Sequence, residues 1–344
     1  MNGSPFALLA HNSVSAVMLK VLAALIPGII AHAWFFGPGI WVSLLLCILF
    51  AVGLEALMLL MRGLPMQPFL SDGSVVVTAV LLALSLPTLA PWWLYAVGSI
   101  VAVVVAKHLY GGLGQNPFNP AMVAYAALIV SFPVYMTQWP APVGLAVHDI
   151  NLLDAFDLVF AGQGAISPDA FTSATVLDTW KTQARLGKPV EDILALPGFG
   201  WGGGKGQEFV ALMYLLGGLL MWSHKLITWH IPAAFLGALA LTAGGLHLMD
   251  PGRHADPIFH LLSGGAMLGA FFIATDPVSA ATTPRGKLIF AGLAGLITVL
   301  IRDFGGYPDG VAFSILLMNV AAPFIDAYTQ PRVFGHQAGR GEKP

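Results

Sequence analysis

The chain has 344 residues, of which 57% are apolar and 9% charged, against about 25% charged in an average soluble domain. That balance excludes an ordinary soluble globule and marks an integral membrane protein. Fifteen basic against seventeen acidic residues, a formal net charge of -2, give no support to a nucleic-acid partner. The single Cys47 can form neither an internal disulfide nor a cysteine-ligated metal site.

Along the chain, the first nineteen residues carry no Lys or Arg and no small-residue cleavage pattern, so no removable signal peptide is expected. Ten apolar segments follow, each near the roughly 20 residues of a bilayer crossing or somewhat short of it. Five are predicted near 20–36, 39–61, 74–90, 91–107 and 120–136. Beyond a polar stretch at 137–208, five more are predicted near 209–223, 230–248, 258–275, 286–302 and 308–326. Proline ends segments at Pro87 to Pro91 and at Asp276-Pro277. The expected fold class is an all-α integral membrane protein. Residues 1–136 form one membrane half, 137–208 an extracytoplasmic loop, 209–329 the second half and 330–344 a tail.

With the N-terminus inside, the short inside loops and tails hold Lys20, Arg62, Lys107, Lys225, Arg285, Lys287, Arg332, Arg340 and Lys343. The short outside loops hold only Arg253 and Arg302, which satisfies the positive-inside rule. A bacterial inner membrane with both termini cytoplasmic and the long loop periplasmic is expected. The halves also repeat weakly: Ser71-Asp72-Gly73, Ser85-Leu86-Pro87 and Tyr110-Gly111-Gly112 recur as Ser263-Gly264-Gly265, Thr275-Asp276-Pro277 and Phe304-Gly305-Gly306. Five crossings per copy is an odd number, so the halves are expected to be inverted, a layout that holds a path at the repeat interface.

Glu55 is the charge deepest in an apolar run; it costs about 2.5 kcal/mol or more near a helix centre facing lipid, so it is expected to face protein, water or a partner. Asp72, Asp276, Asp303 and Asp309 fall at segment ends beside Gly or Pro, where capping and ion coordination both explain them. Gly202-Gly203-Gly204-Lys205 lacks the spacing of a phosphate loop and reads as a flexible lead into the sixth segment. The ten histidines show no short metal spacing; His32, His108 and His230 suit either packing or a proton path. Tryptophans cluster at segment ends, as an interfacial belt facing membrane lipids requires.

Two polar motifs remain. Asp169-Ala170-Phe171-Thr172-Ser173-Ala174-Thr175 lies in the long loop; its residues suit the N-cap and first turn of a surface helix, with Thr172 and Ser173 leading it. A helix start also presents free N–H groups to a phosphate, so the two uses are compatible. Asn116 and Asn119 flank Pro117 in a glycine-rich turn, where they can start a helix or hydrogen-bond a ring system.

The stretches Tyr110 to Pro120, Phe271 to Lys287 and Arg302 to Asn319 resemble the D subunit family of the Rnf complex, the ion-translocating oxidoreductase that couples ferredoxin and NAD to an ion gradient. The similarity runs from Ser4 to Pro331. The B subunit of the sodium-pumping NADH:quinone reductase is related but longer. The resemblance implies ten helices in two inverted halves, similar to urea and ammonium transporters. It further implies FMN joined through its phosphate, by a flavin transferase, to the hydroxyl of Thr175, with Asp169, Thr172, Ser173 and Ala174 forming the attachment pattern. Ala170, Ser173 and Val176 depart from the commonest form of that pattern. A second, non-covalent riboflavin near Asn116 and Asn119 is expected by the same likeness. The implied partners are a second flavin-bearing subunit and iron–sulfur subunits. Two rival expectations stand beside it: a flavin-free channel of the urea or ammonium type, and a subunit of the sodium-pumping reductase.

Overall fold

The computed structural model describes residues 13–147, 150–161 and 170–330. The first half comprises α1 (Val14–Phe36), α2 (Gly39–Met61), α3 (Met66–Leu70), α4 (Ser74–Ser85), α5 (Trp92–Ser99, continued by a π-helical turn Ile100–Val105), α6 (Pro120–Ser131) and α7 (Pro133–Met136). A two-stranded ribbon of β1 (Trp139–Pro140) and β2 (Thr172–Ser173), with α8 (Leu152–Ala161), α9 (Val176–Arg185) and α10 (Val190–Leu194), makes a polar cap. The second half comprises α11 (Gln207–Ser223), α12 (His230–Met249), α13 (Pro257–Leu262), α14 (Ala266–Leu268, continued by a π-helical turn Gly269–Ile273), α15 (Pro284–Phe304) and α16 (Val311–Thr329).

Six stretches of the described residues are long and apolar enough to cross a membrane: Val14–Phe36, Gly39–Met61, Met66–Ser85, Trp92–Tyr110, His230–Met249 and Val311–Thr329. Segment bounds differ from expectation where local chemistry intervenes. Helix α1 starts six residues earlier than predicted because the Ser13 hydroxyl accepts from Ala16 N at 3.2 Å and caps it. The segment predicted at 120–136 stops at Ser131, where Pro133 cannot continue the ladder. The one predicted at 258–275 is broken at Ser263 to Gly265 into α13 and α14, with Gly264 at φ +62°.

Helix α1 packs on α11, α12 on α15, α15 on α16, and α6 on α16; α2 packs on α4 and α5. Two contacts require glycine. A Cβ on Gly217 would lie 2.0 Å from the Ala24 carbonyl oxygen, and one on Gly295 would lie 2.2 Å from that of Phe235. Bare backbone at these positions lets α1 meet α11 and α12 meet α15, as small residues do between membrane helices.

Buried charge gathers in two places. On the side away from the cap, Lys107 Nζ meets Glu55 Oε1 at 2.8 Å and His108 Nε2 meets Glu55 Oε2 at 3.0 Å. Arg62 Nη1 lies 3.3 Å from His108 Nδ1, and Asp72 caps α4 by accepting from Ser74 N at 2.7 Å. Glu55 therefore faces protein. Beside the cap, Arg302 donates to the carbonyls of His260 and Ser263 and pairs with Asp309 at 3.1 Å. Asp303 pairs with His254 at 2.8 Å, and Asp309 also accepts from Gly265 N at 2.7 Å. Arg302, counted above as an outside-loop charge, is 2% exposed in the last turn of α15. Its guanidinium closes the break between α13 and α14.

The cap has a core of its own: Leu177, Trp180 and Ile193 pack on Phe259 of α13, with the Trp180 and Phe259 rings 5.3 Å apart. The run Gly202 to Gly204 is not a loose lead. Phe199 and Gly204 pair as an antiparallel bridge, and the Glu208 carboxylate lies so close against this turn that a Cβ on Gly200 would come within 2.3 Å of its oxygens. These glycines cradle the chain's own carboxylate, which leaves no phosphate loop there.

Candidate functional site

A cavity of about 480 Å³ opens beneath the cap and runs into the junction of the two halves. Its size falls within the roughly 300–1,000 Å³ of cofactor pockets. The rim carries Thr172 to Thr179 of the cap, with Lys205 and Asp309. Farther in, the walls come from α1, α4, α6, α11, α14 and α16: His32, Leu84, Met122, Tyr125, Tyr214 and Ala312. These walls are mainly apolar, and the charged groups stand at the rim.

Thr175 sits where the ribbon turns into α9. Pairing of Trp139 with Ser173 and Pro140 with Thr172 holds the strand, and Ala141 N donates to Phe171 O at 2.9 Å. The chain then needs an N-cap, and Thr175 supplies it: extended at φ -64° and ψ 158°, its Oγ accepts from Asp178 N at 3.2 Å. Thr172 and Ser173, expected to lead that helix, lie instead in β2, because the ribbon claims their backbone. Ala174 and Ser173 are exposed and Thr175 is half-buried, so its hydroxyl is reachable from the rim. Asp169 lies outside the described residues. Packing of Val176 against Gly204, where a Cβ would come within 2.9 Å, holds the start of α9 against the glycine hairpin.

Helix α9 is tied down from the other side. Lys181 Nζ donates to the carbonyls of Ile301 and Tyr307, and Arg185 Nη2 to Gly305 O at 3.0 Å. Burial, with Arg185 nearby, lowers the Lys181 ammonium to about 8 from the usual 10.5. Thr175 is thus carried on a short helix anchored to the end of α15.

Asn116 and Asn119 stand apart from this rim. Asn116 Nδ2 donates to Phe118 O at 3.0 Å within its own turn. Asn119 caps α6, its Oδ1 accepting from Met122 N at 3.2 Å, while its Nδ2 lies 3.5 Å from Ile273 O. Its backbone N–H donates to Asn319 Oδ1 at 3.1 Å, and Asn319 Nδ2 donates to Ser279 O at 3.0 Å. Met122 and Ile273 line the cavity, so Asn119 lies just behind its floor. The structure brings Thr172, Ser173, Ala174 and Thr175 together at one end and sets the two asparagines at the other. Among the described residues no group of His, Cys, Asp or Glu is placed to hold a metal ion.

Sequence reasoning singled out His32 but missed Tyr125 and Tyr214. The available signal was a phenol inside an otherwise aliphatic helix, since a buried Tyr hydroxyl usually finds a partner.

Residues 1–335 match the model of the family described as NQR2, RnfD, RnfE. A protein of Aeromonas hydrophila, named as the D subunit of an ion-translocating oxidoreductase complex, is 50% identical over 338 residues, 95% of this chain and 96% of that one. Proteins of the same name from Vibrio cholerae and Escherichia coli are 49% and 50% identical, covering 95% and 96% of this chain and 97% of each relative. The chain therefore belongs to the NQR2, RnfD, RnfE family.

Proposed function

We propose that this chain is a membrane subunit of an ion-translocating oxidoreductase complex and that FMN, joined through its phosphate to Thr175, occupies the cavity beneath the cap. The chain is a translocase component and not a complete enzyme by itself, as the name shared by its relatives supports. The observation that carries the flavin reading is one continuous space with a reachable threonine hydroxyl at its rim and apolar walls behind it. The residues fit the group. The phosphate would sit at the start of α9, where backbone N–H groups and the helix dipole favour an anion and Lys205 on the rim adds a positive charge. Esterified, Thr175 Oγ is a weaker acceptor, so Asp178 N–H is left to the phosphate oxygens.

When bound, the flavin supplies the electron chemistry; the protein supplies position, shielding and electrostatics. The apolar walls exclude water and strengthen the field felt by added charge. A flavin transferase is needed for maturation. Electrons would arrive at the cap side from a second flavin-bearing or an iron–sulfur subunit and leave through the floor, toward a riboflavin on the Asn116 side of Asn119. The cap then faces the periplasm of a bacterial inner membrane, with both termini cytoplasmic.

The pairing of α1 with α11 and of α6 with α16 supports ten crossings in two inverted halves, since each pair joins corresponding elements of the two. Movement of sodium or protons would be coupled through the contact between these halves, with ferredoxin and NAD as the redox pair. A flavin-free channel is the weaker reading, because it leaves the reachable Thr175 hydroxyl at the cavity rim without a role.

The test is direct. Chain co-expressed with the transferase should give a fluorescent band on a denaturing gel under ultraviolet light, and an added FMN mass on the peptide containing Thr175. Both should vanish in Thr175→Ala. Bare polypeptide mass in the wild type defeats the reading.

A further inference from the structure

The cavity walls are mainly apolar, and three polar side chains stand out among them. His32 on α1, Tyr125 on α6 and Tyr214 on α11 all line the cavity. His32 Nδ1 is buried and has no hydrogen-bond partner among the described residues. The Tyr125 and Tyr214 side chains reach the same space from two other helices. Other polar side chains nearby are already engaged: Ser85 donates to Leu81 O at 2.8 Å, and Gln207 to Gly264 O at 3.3 Å. A buried donor left without an acceptor is costly, and the His32 nitrogen together with two phenols from two further helices points to a ligand edge rich in acceptors.

The space between them suits a flat ring. Met122, Ile129, Leu268, Ile273 and Val311 offer apolar surface for its faces. We propose that His32, Tyr125 and Tyr214 bind the carbonyl and ring-nitrogen edge of the flavin tethered at Thr175, with His32 donating a hydrogen bond to that edge. This assignment rests on the flavin reading above. Reduction places negative charge on the acceptor edge, so donors fixed there hold the reduced ring more tightly than the oxidised one. In a water-poor pocket that difference is large. The three residues therefore raise the midpoint potential of the bound flavin, and their loss lowers it.

The experiment uses full-length chain co-expressed with a flavin transferase. Loading is scored first by the fluorescent gel band, and the midpoint potential is then measured by spectroscopic redox titration. His32→Phe should keep the band while its preference for the reduced ring falls about tenfold, which is about 30 mV for a two-electron couple. His32→Gln, which retains a donor, should recover more than half of that shift; a purely packing role would favour the phenylalanine. Tyr125→Phe and Tyr214→Phe should each move the potential in the same direction, and they decide the matter if His32→Phe does not fold. Loaded variants with unchanged potentials overturn the proposal and leave the Thr175 ester standing. A wild-type chain without the band overturns both.

Discussion

Glu55 accepts a hydrogen bond from Lys107 at 2.8 Å, with His108 Nε2 3.0 Å from its other oxygen, and all three side chains are buried. A buried pair of this kind contributes little net stability, but losing one partner strands a charge. Lys107→Met should lower stability by about 3–5 kcal/mol in detergent-solubilised protein, and adding Glu55→Gln should restore most of the loss. Simple additivity of the two changes in a denaturation series would refute the pairing. At this scale the sequence was legible where the chemistry is local. Asn119 accepts from a residue three positions on, and its capping was read from the Asn-Pro pair; Thr175 caps in the same way, but the cap was expected at Thr172 and Ser173. The Glu55 to Lys107 contact spans 52 positions, and no spacing rule reaches that far. The cost of leaving Glu55 in lipid was legible; the identity of its partners was not.

Helix α9 shows what an element adds to its residues. Its ten residues make too short a helix to be stable alone, and docking through Leu177, Trp180 and Lys181 holds it. Undocked, Lys181 should titrate near the ordinary 10.5; docked, it titrates near 8. Between these values the undocked state binds the extra proton, so docking strengthens as pH rises through the window and is weakest below about 8. Hydrogen exchange of the α9 amides should therefore show wild-type protection gaining on Lys181→Met between pH 8 and 10. A gap that stays constant with pH would rule the mechanism out. The polar character of 137–208 was plain from composition, whereas Pro133 and the Ser263 to Gly265 run carry breaker residues that were read through as continuous segments. The ribbon was not legible, because two-residue strands carry no periodicity, and it displaced Thr172 and Ser173 from the helix they were expected to lead.

For the whole molecule, the proposed orientation sets cap and α11–α12 turn on opposite sides of the bilayer. Leu186 in the cap is 70% exposed, Lys225 in the turn is exposed, and the native Cys47 is fully buried. Leu186→Cys should react with a membrane-impermeant maleimide on intact spheroplasts, whereas Lys225→Cys should react only after permeabilisation. Labelling of both from one side would reject the topology. Two apolar halves around a polar interlude were legible from hydropathy alone. The cavity was not, since its lining is gathered from six helices and the cap, and only their packing brings His32, Tyr214 and Thr175 to one space. The Asn119 bracket behind that space has a consequence for energy conservation. Its backbone and carboxamide join Met122, Asn319 and, more loosely, Ile273 into a hydrogen-bonded bracket behind two residues of the cavity lining. Under the proposed function, electrons would tunnel across such a bracket while a hydrated cation would have to wait for it to part, so the same residues would pass current and hold back ions.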